Sequence, residues 1–276
     1  MSQKITLVLG GTGKTGRRVA ERLRERGVAV RIGARSAMPS FDWTDEATWA
    51  PVLENVDRIY VCFQPDLAVP GSVEIIRRFS NLAIGVGIKR MVLLSGRGED
   101  EAEAAEHALQ ASGAECTIIQ ASWFFENFDE GFLADGVLNG SVFLPADDVT
   151  EPFVSCDDIA DVAVEALLDD RHVGKVYSLT GPRLMTFADA VAEIAAAANR
   201  PISYQAIPIA DFAAHLKADG VPDDYVDLIR YLFTSVLDGR NSNLTSDVEH
   251  VLGRRPRDFA AYAREAAATG VWSLAA

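Results

Sequence analysis

The sequence predicts an α/β fold: a doubly wound, mostly parallel sheet with a smaller, mainly helical lobe toward the C-terminus. Three observations support this prediction. Short apolar runs alternate with amphipathic stretches from residue 5 to about residue 180, the pattern of parallel strands joined by crossover helices. A glycine-rich turn joins the first apolar run to the first amphipathic stretch. After about residue 201, amphipathic stretches predominate.

The first strand is predicted over residues 5–9, where β-branched and aliphatic residues stand together. A helix follows the turn, and Gly27 ends it before a second strand at residues 28–32. The turn itself contains Gly10, Gly11, Thr12, Gly13, Lys14, Thr15 and Gly16. Glycines between a strand and a helix let backbone N–H groups and the positive helix end approach a pyrophosphate. The segment therefore predicts a dinucleotide site of the Rossmann type.

Other interpretations of this turn are weaker. Gly13-Lys14-Thr15 looks like the end of a P-loop, but that motif requires a glycine where Val8 stands, so we exclude an ATPase or GTPase. The glycines fit G-x-G-x-x-G from Gly11 and also G-x-x-G-x-x-G from Gly10, the spacing of short-chain dehydrogenases. The remaining alternative is a tight turn without a ligand, in which four glycines would cost backbone entropy for no function.

The later elements follow the same alternation. Strands are predicted at residues 58–63, 90–94, 116–119 and 175–179, and helices at 72–84 and 101–110. Ser155 with Asp158, and Thr186 with Asp189, are cap signatures that open two further helices. Beyond residue 201 we expect one strand at 202–207 and helices at 210–218, 223–237 and 257–268. If residues 41–43 form the third strand, a bare loop must reach it, because five residues are too few for a crossover helix.

We therefore expect two parts. Residues 1–125 form the nucleotide-binding core, completed by about residues 152–180. Residues 126–151 and 181–276 form a substrate-binding lobe that closes over the site.

Composition limits the classes of function. The 276 residues carry a net charge of −14, which disfavours nucleic acid and anionic membranes as partners. Cys62, Cys116 and Cys156 are far apart and lie in or beside apolar runs, as reduced thiols in a cytoplasm do. The histidines are equally scattered, so we expect no metal site. No apolar stretch could span a bilayer and no signal peptide is evident, so we expect a cytoplasmic protein that acts on a small molecule.

The end of the second strand bears on the choice of cofactor. An acidic residue there binds the ribose 2′-hydroxyl of NAD, whereas a basic residue accommodates the 2′-phosphate of NADP. This strand is followed by Arg35 and Ser36, with no carboxylate before Asp42, and Lys14 offers a second positive charge. NADP(H) is therefore the predicted cofactor. The alternative is that Arg35 and Lys14 are solvated surface charges.

Four segments carry a resemblance to a known family: residues 10–16, 93–95, 121–128 and 152–160. Over nearly its whole length the chain resembles the NmrA-like branch of atypical short-chain dehydrogenases/reductases. Within that branch it looks most like the festuclavine/agroclavine dehydrogenases of ergot alkaloid metabolism. Residues 10–15, Phe41-Asp42-Trp43 and Trp123-Phe124-x-Glu126-Asn127-Phe128 are similar to that group's signatures.

The resemblance implies positions for the cofactor-binding residues. Asp42 would lie near the adenine, Phe63 and Gln64 along the ribose, and Ser95 near the nicotinamide ribose. The nicotinamide would be bordered by Ala121, Ser122 and Trp123. Core packing is the alternative role for Trp123 and for Phe124, Phe125 and Phe128.

One departure from the family matters for the chemistry. Standard short-chain dehydrogenases protonate the substrate oxygen with a Tyr-x-x-x-Lys pair, but residues 96–115 contain neither tyrosine nor lysine. Glu106 and His107 could substitute, although we expect both at the protein surface. Either the substrate needs no acid, as with an iminium ion or a quinone-like acceptor, or the protein only binds its cofactor.

We therefore predict an NADPH-dependent oxidoreductase that delivers hydride to an electron-poor C=N, C=C or quinone-type small molecule. The alternative is a redox-sensing NADP(H)-binding regulator of the NmrA type, without turnover. We predict an aromatic cleft for a flat heterocycle, and acidic residues at 223, 224 and 227 that attract a cation. The predicted substrate contacts are Trp123, Phe125, Tyr225 and Tyr231. No catalytic residue is assigned, and substrate identity and oligomeric state stay open.

Overall fold

The computed structural model describes residues 4–273, which divide into two compact units. The first unit consists of the described residues up to Ala121, together with Cys156–Leu179 and His250–Gly253. The second consists of Ser122–Ser155, Thr180–Glu249 and the described residues from Arg254 onward.

Regular elements cover most of the described residues. The strands β1–β8 are, in order, Ile5–Leu9, Ala29–Gly33, Val56–Cys62, Arg90–Gly96, Glu115–Ala121, Ser141–Leu144, Val176–Leu179 and Ser203–Ala206. The helices α1–α12 are Lys14–Glu25, Trp49–Leu53, Ser72–Gly85, Asp100–Ala111, Asn127–Glu130, Ala134–Asn139, Cys156–Leu168, Phe187–Ala197, Ile209–Ala218, Asp223–Tyr231, Asp247–Leu252 and Phe259–Ala268. Two 3-10 turns, Glu46–Thr48 and Asp170–His172, and a π-helix, Leu232–Val236, complete them.

A six-stranded sheet with the order β2-β1-β3-β4-β5-β7 forms the centre of the first unit, and every pairing in it is parallel. The chain leaves β1 toward one edge of the sheet and leaves β3 toward the other. Right-handed crossovers then place α1 and α3 on opposite faces. This confirms the predicted doubly wound sheet. Because the strands are parallel, their carboxyl ends meet at one edge, where ligands bind in such folds.

Helix α1, which follows the glycine turn, is held against α7. Arg22 on α1 donates hydrogen bonds to Asp157 at 2.7 Å and to Asp161 at 2.5 Å, both on α7. Gly27 has a positive φ of 74° directly after the helix, as the sequence predicted for its end. These contacts anchor the C-terminal half of α1 to α7.

The second unit is mainly helical and has a core rich in phenylalanine. Its strands β6 and β8 pair in parallel. The predicted cap of α8 is confirmed, because Thr186 and Asp189 exchange side-chain-to-backbone hydrogen bonds of 3.0 and 2.9 Å. Fully buried rings fill the centre of this unit, namely Phe125, Phe128, Phe153, Phe187 and Phe259.

Two sequence predictions need correction. Residues 41–43 are not a strand: the connection from β2 to β3 contains a 3-10 turn and α2, and Trp43 packs in an aromatic cluster with Phe41 (4.8 Å between ring centroids) and Phe79 (5.1 Å). Burial of these rings decides the conformation of the segment. The segment predicted as one helix over 223–237 is α-helical only as far as Tyr231, and the π-helix follows directly. In the first turn of the π-helix, the Thr234 hydroxyl donates to the Arg230 carbonyl.

Among residues 4–273, no helix combines the length and apolar character that crossing a bilayer requires. In the same part of the chain, no three His, Cys, Asp or Glu side chains are grouped as ligands for a metal ion.

Candidate cofactor and substrate site

The glycine turn between β1 and α1 is closed to side chains at two positions. A Cβ on Gly16 would lie 2.2 Å from the Gly10 carbonyl oxygen, and a Cβ on Gly11 would lie 2.8 Å from that of Val8. Gly10 itself has a φ of 64°, which favours glycine. These glycines are therefore required by the turn itself.

Gly13 is different, because its missing side chain leaves space. A Cβ there would have only ordinary or slightly close neighbours, the Gly10 oxygen at 3.3 Å and the Gln64 amide nitrogen at 3.5 Å. Gly13 is the N-cap residue of α1, and no side chain caps the helix. The arrangement fits the pyrophosphate of a dinucleotide, since a helix start without a capping side chain is a ready anion site.

The turn packs against the end of β3. A Cβ on Gly10 would lie 3.1 Å from the Cys62 Cβ, and the Thr15 hydroxyl points to the Cys62 sulfur at 4.0 Å. Burial raises the pKa of the Cys62 thiol to about 11, so it remains a neutral thiol at physiological pH. Cys62 is partly buried and lies in no disulfide.

Near the end of β2, the carboxylate of Asp42 lies close to Arg35, one of the predicted phosphate-binding residues. Arg35 and Ser36 are exposed. The Phe41 amide donates to the Ala34 carbonyl at 3.0 Å, which places Asp42 within electrostatic reach of Arg35. Hydrogen bonds from the backbone and side chain of Thr44, together with the charge of Arg35, hold the pKa of Asp42 below its ordinary value.

The two residues after β3 have unequal roles. Phe63 is buried and its ring packs against Trp43, with 5.0 Å between centroids, so it belongs to the aromatic core of the first unit. Gln64 is exposed, and its amide lies beside Gly13. Of this predicted pair, Gln64 has the side chain available to a ligand.

Ser95 lies near the carboxyl end of β4 and is hydrogen-bonded to a buried glutamate. Its hydroxyl donates to Glu106 at 2.5 Å, and the amide of Gln120 donates to both oxygens of that carboxylate at 2.9 and 3.1 Å. Burial raises the pKa of Glu106, although the bonds from Ser95 and Gln120 oppose this.

The expectation of a surface position for Glu106 is wrong, since its side chain is only 4% exposed, whereas His107 is exposed. The sequence contained the signal: Glu106 falls on the helical stripe of Ala102, Ala105 and Leu109, all of which are buried. The side chain of Glu106 therefore points to the sheet.

A pair of acidic side chains, Asp66 and Glu99, follows the ends of β3 and β4, and the sequence analysis missed it. The carboxyl group of Glu99 lies against Gly96, where a Cβ would be 2.0 Å from its Oε1 atom. Burial and the hydrogen-bonded neighbour Asp66 raise the pKa of Glu99 well above its ordinary value. Asp66 also accepts the Ala68 amide at 2.8 Å. Burial and the neighbouring carboxyl group of Asp66 therefore favour the protonated form of Glu99.

In the second unit, Trp123 forms the half-buried part of a cluster of rings. Its centroid lies 5.0 Å from Phe233, on the π-helix, and 6.4 Å from Phe132, which is 47% exposed. All these contacts are tilted or edge-on. We call Trp123, Phe132 and Phe233 the aromatic patch. Ser122 is buried and follows Ala121, the last residue of β5.

Three predicted substrate contacts need revision. Phe125 is 1% exposed and packs against Phe259 at 5.0 Å, so it is a core residue and not a substrate contact. Tyr225 and Tyr231 are six residues apart on α10, about 120° around the helix axis. Their rings therefore face different sides of the helix.

The predicted attraction of a cation by Asp223 is also weakened. Its carboxylate pairs with Lys217 at 2.7 Å, and that bond lowers the pKa of Asp223. A cationic ligand would have to compete with the lysine.

Comparison with known proteins gives relatives over the full length. No protein-family model matches the chain. It is 32% identical to agroclavine dehydrogenase of Claviceps fusiformis, covering 92% of this chain and 94% of that protein. It is 30% identical to festuclavine dehydrogenase of Aspergillus fumigatus, covering 94% and 96%.

Solved structures share the fold. The NADPH-dependent quinone oxidoreductase of Escherichia coli, complexed with NADPH, superposes with a TM-score of 0.79 at 23% identity, covering 95% of this chain and 99% of that one. NmrA, a negative transcriptional regulator, superposes with a TM-score of 0.70 at 16% identity, covering 99% and 100%.

The full-length identity to the two clavine dehydrogenases confirms the resemblance seen in the sequence. The chain belongs to the NmrA-like branch of the atypical short-chain dehydrogenases/reductases.

Proposed function

We propose that the protein is an NADPH-dependent oxidoreductase that delivers hydride to an electron-poor C=N, C=C or quinone-type small molecule. The observation that carries this proposal is the glycine turn. It is closed to side chains at Gly11 and Gly16 but leaves space at Gly13, at the start of α1. The names of the relatives, two dehydrogenases of clavine alkaloids and a quinone oxidoreductase, support the reaction class.

The proposed cofactor contacts follow the strand ends. Residues 10–16 would bind the pyrophosphate, and Arg35, Ser36 and Lys14 the 2′-phosphate. Asp42 would border the adenine, Gln64 and the backbone of Phe63 the ribose, and Ser95 the nicotinamide ribose. The nicotinamide would be bordered by Ala121, Ser122 and Trp123. When bound, the cofactor supplies the hydride.

The chain holds no Tyr-x-x-x-Lys pair on α4, and the proposed acceptors do not need one. Hydride addition to an iminium carbon forms the C–H bond and moves the C=N electron pair onto nitrogen, so that a neutral amine results without a proton donor. A quinone takes its proton after the negative charge has spread over a conjugated ring. The protein's main contribution is then orientation.

The aromatic patch supports a flat, conjugated acceptor. Its rings contact one another tilted or edge-on, and Phe132 is half exposed. An exposed ring face can stack on a second aromatic system. We therefore replace Phe125 with Phe132 and Phe233 among the proposed substrate contacts, and keep Trp123.

The test is NADPH oxidation by the purified protein in the presence of iminium, quinone, azo and enone acceptors, with NADH in parallel. We expect turnover with at least one class and a preference for NADPH. Gly13→Val is the control, because it should remove turnover while the circular dichroism spectrum stays unchanged.

A redox-sensing regulator remains the second candidate, favoured by the lack of tyrosine and lysine on α4. Calorimetry distinguishes the two. Tight binding that differs between NADP⁺ and NADPH, without turnover of any acceptor, would replace the enzyme by the sensor.

A further inference from the structure

Three side chains from three neighbouring elements form a continuous hydrogen-bonded chain beside the candidate cofactor site. Ser95 on β4 and Gln120 on β5 are direct register partners, and Glu106 on α4 reaches both. The chain runs from the Gln120 amide to the Glu106 carboxylate and from there to the Ser95 hydroxyl. Ser95 and Glu106 are both buried.

The direction of these bonds is determined by the chemistry of the groups. An ionised carboxylate only accepts hydrogen bonds, and a hydroxyl has a single hydrogen. Because Ser95 donates that hydrogen to Glu106, its oxygen keeps only lone pairs for a ligand. Ser95 is thereby fixed as an acceptor.

The surroundings of Glu106 bear on its charge. The charged or titratable groups that interact with Glu106 are Glu103 and His107, on the same helix, and Glu99, which precedes the helix. Glu103 and burial oppose ionisation, whereas His107 and the two donors favour it. A protonated Glu106 would be able to donate to Ser95 and would release the serine hydrogen.

We infer that Glu106 is a positioning residue that holds Ser95 as the acceptor for a hydroxyl group of the bound cofactor's nicotinamide ribose. This rests on the proposed function, because that function places the ribose beside Ser95. The positioning carboxyl group would then lie on α4, the helix that carries the Tyr-x-x-x-Lys pair in standard short-chain dehydrogenases.

The test is NADPH binding by calorimetry for the wild type, Glu106→Gln, Ser95→Ala and the double variant. We expect Glu106→Gln to weaken binding about five- to tenfold, the value of one hydrogen bond. In the Ser95→Ala background the same substitution should have no further effect. Glu101→Gln is the matched control, because it removes the same charge from an exposed position on the same helix, and its affinity should equal that of the wild type.

The pH dependence gives a second readout. If Glu106 must be ionised, wild-type affinity falls as the pH falls through its raised pKa, and Glu106→Gln lacks this component. Comparison with Glu101→Gln cancels the titration of the cofactor's own phosphate. Circular dichroism and thermal unfolding check that each variant is folded.

Several results would overturn the inference. Equal losses from Glu106→Gln in both backgrounds, or an unchanged pH dependence, would show that Glu106 does not act through Ser95. A hundredfold fall in turnover at unchanged affinity would make it a proton donor instead. If the wild type does not bind NADPH, the proposed function fails as well, whereas binding with additive losses rejects this inference alone.

Discussion

The ends of β1 and β4 lie in the same sheet, but they are built differently. The site after β1 consists of backbone: Gly11 and Gly16 leave no room for a Cβ, and the position beside the helix start is open because Gly13 lacks a side chain. The site after β4 consists of side chains from three elements, with Ser95, Glu106 and Gln120 bonded to one another. The first could be recognised in seven consecutive residues. The second required knowledge of which strand pairs with which and which helix face is buried.

The difference has consequences for substitution. A backbone site tolerates no added atoms but has no charge to lose. A side-chain site can lose one partner and leave the others buried and unsatisfied, which costs about 1–3 kcal/mol for each group. The predictions below test this contrast, beginning with the largest effect.

Gly13→Val should reduce NADPH affinity at least a hundredfold while the protein stays folded. The backbone at Gly13 is extended, with φ −84° and ψ −179°, which valine readily adopts. Its side chain would occupy the proposed pyrophosphate position, and the contact of its Cβ with the Gly10 oxygen at 3.3 Å requires only a small shift. Calorimetry and circular dichroism measure the two effects separately. Gly16→Ala makes the contrast, because its Cβ would lie 2.2 Å from a backbone oxygen and should destabilise the fold. Retained NADPH binding by a folded Gly13→Val protein would show that this turn does not hold the cofactor.

Arg35→Ala should weaken NADPH binding about tenfold or more and leave NADH nearly unchanged, because a charge-assisted bond to phosphate is worth roughly 1.5–3 kcal/mol. Asp42, which the fold brings near Arg35, offsets part of this charge, so Asp42→Asn should shift the preference further toward NADPH. The exposed Arg24 on α1 provides the control Arg24→Ala. Equal losses for NADPH and NADH would contradict the assignment of Arg35 to the 2′-phosphate.

Phe132→Ala should raise KM for a flat aromatic acceptor about five- to tenfold, since aromatic stacking contributes roughly 0.5–1.5 kcal/mol beyond area burial. Phe143 on β6 is a matched control, because it is 46% exposed against 47% for Phe132. Phe143→Ala should leave KM unchanged. The same increase in both variants would indicate a general effect of surface phenylalanines and not a binding patch.

Glu99→Gln should make the protein more stable than the wild type, and the difference in stability should increase as the pH rises. The folded protein raises the pKa of Glu99, so the contribution of this group favours folding below its ordinary pKa and is lost as the pH rises through the folded value. Glutamine cannot ionise and avoids that loss. Thermal unfolding should give the variant a higher Tm than the wild type at about pH 8, with a smaller difference at about pH 5. About 2–4 °C corresponds to 1 kcal/mol for a chain of this size. A constant difference at both pH values would show that the pair does not titrate in this way.

The sequence by itself determined the alternation of parallel strands and helices along the chain, the glycine turn, the end of α1 and the capping box of α8. The physical reason is that each depends on residues close together in the chain. A turn that needs glycine, a helix end at a positive φ, or a cap three residues long is specified by local backbone geometry.

The tertiary structure alone decided which side chains of these elements meet. The sequence could not distinguish core rings from binding rings in the segment around Trp123. The packing buries Phe125 and leaves Trp123 half exposed. Phe41 and Trp43 are of residue types that are common in strands, but their packing in the aromatic cluster keeps this segment in a loop. The hydrogen bond between Ser95 and Glu106 depends on the packing of α4 against the sheet. Long-range burial selects one face of each element, and that choice depends on residues distant in the chain.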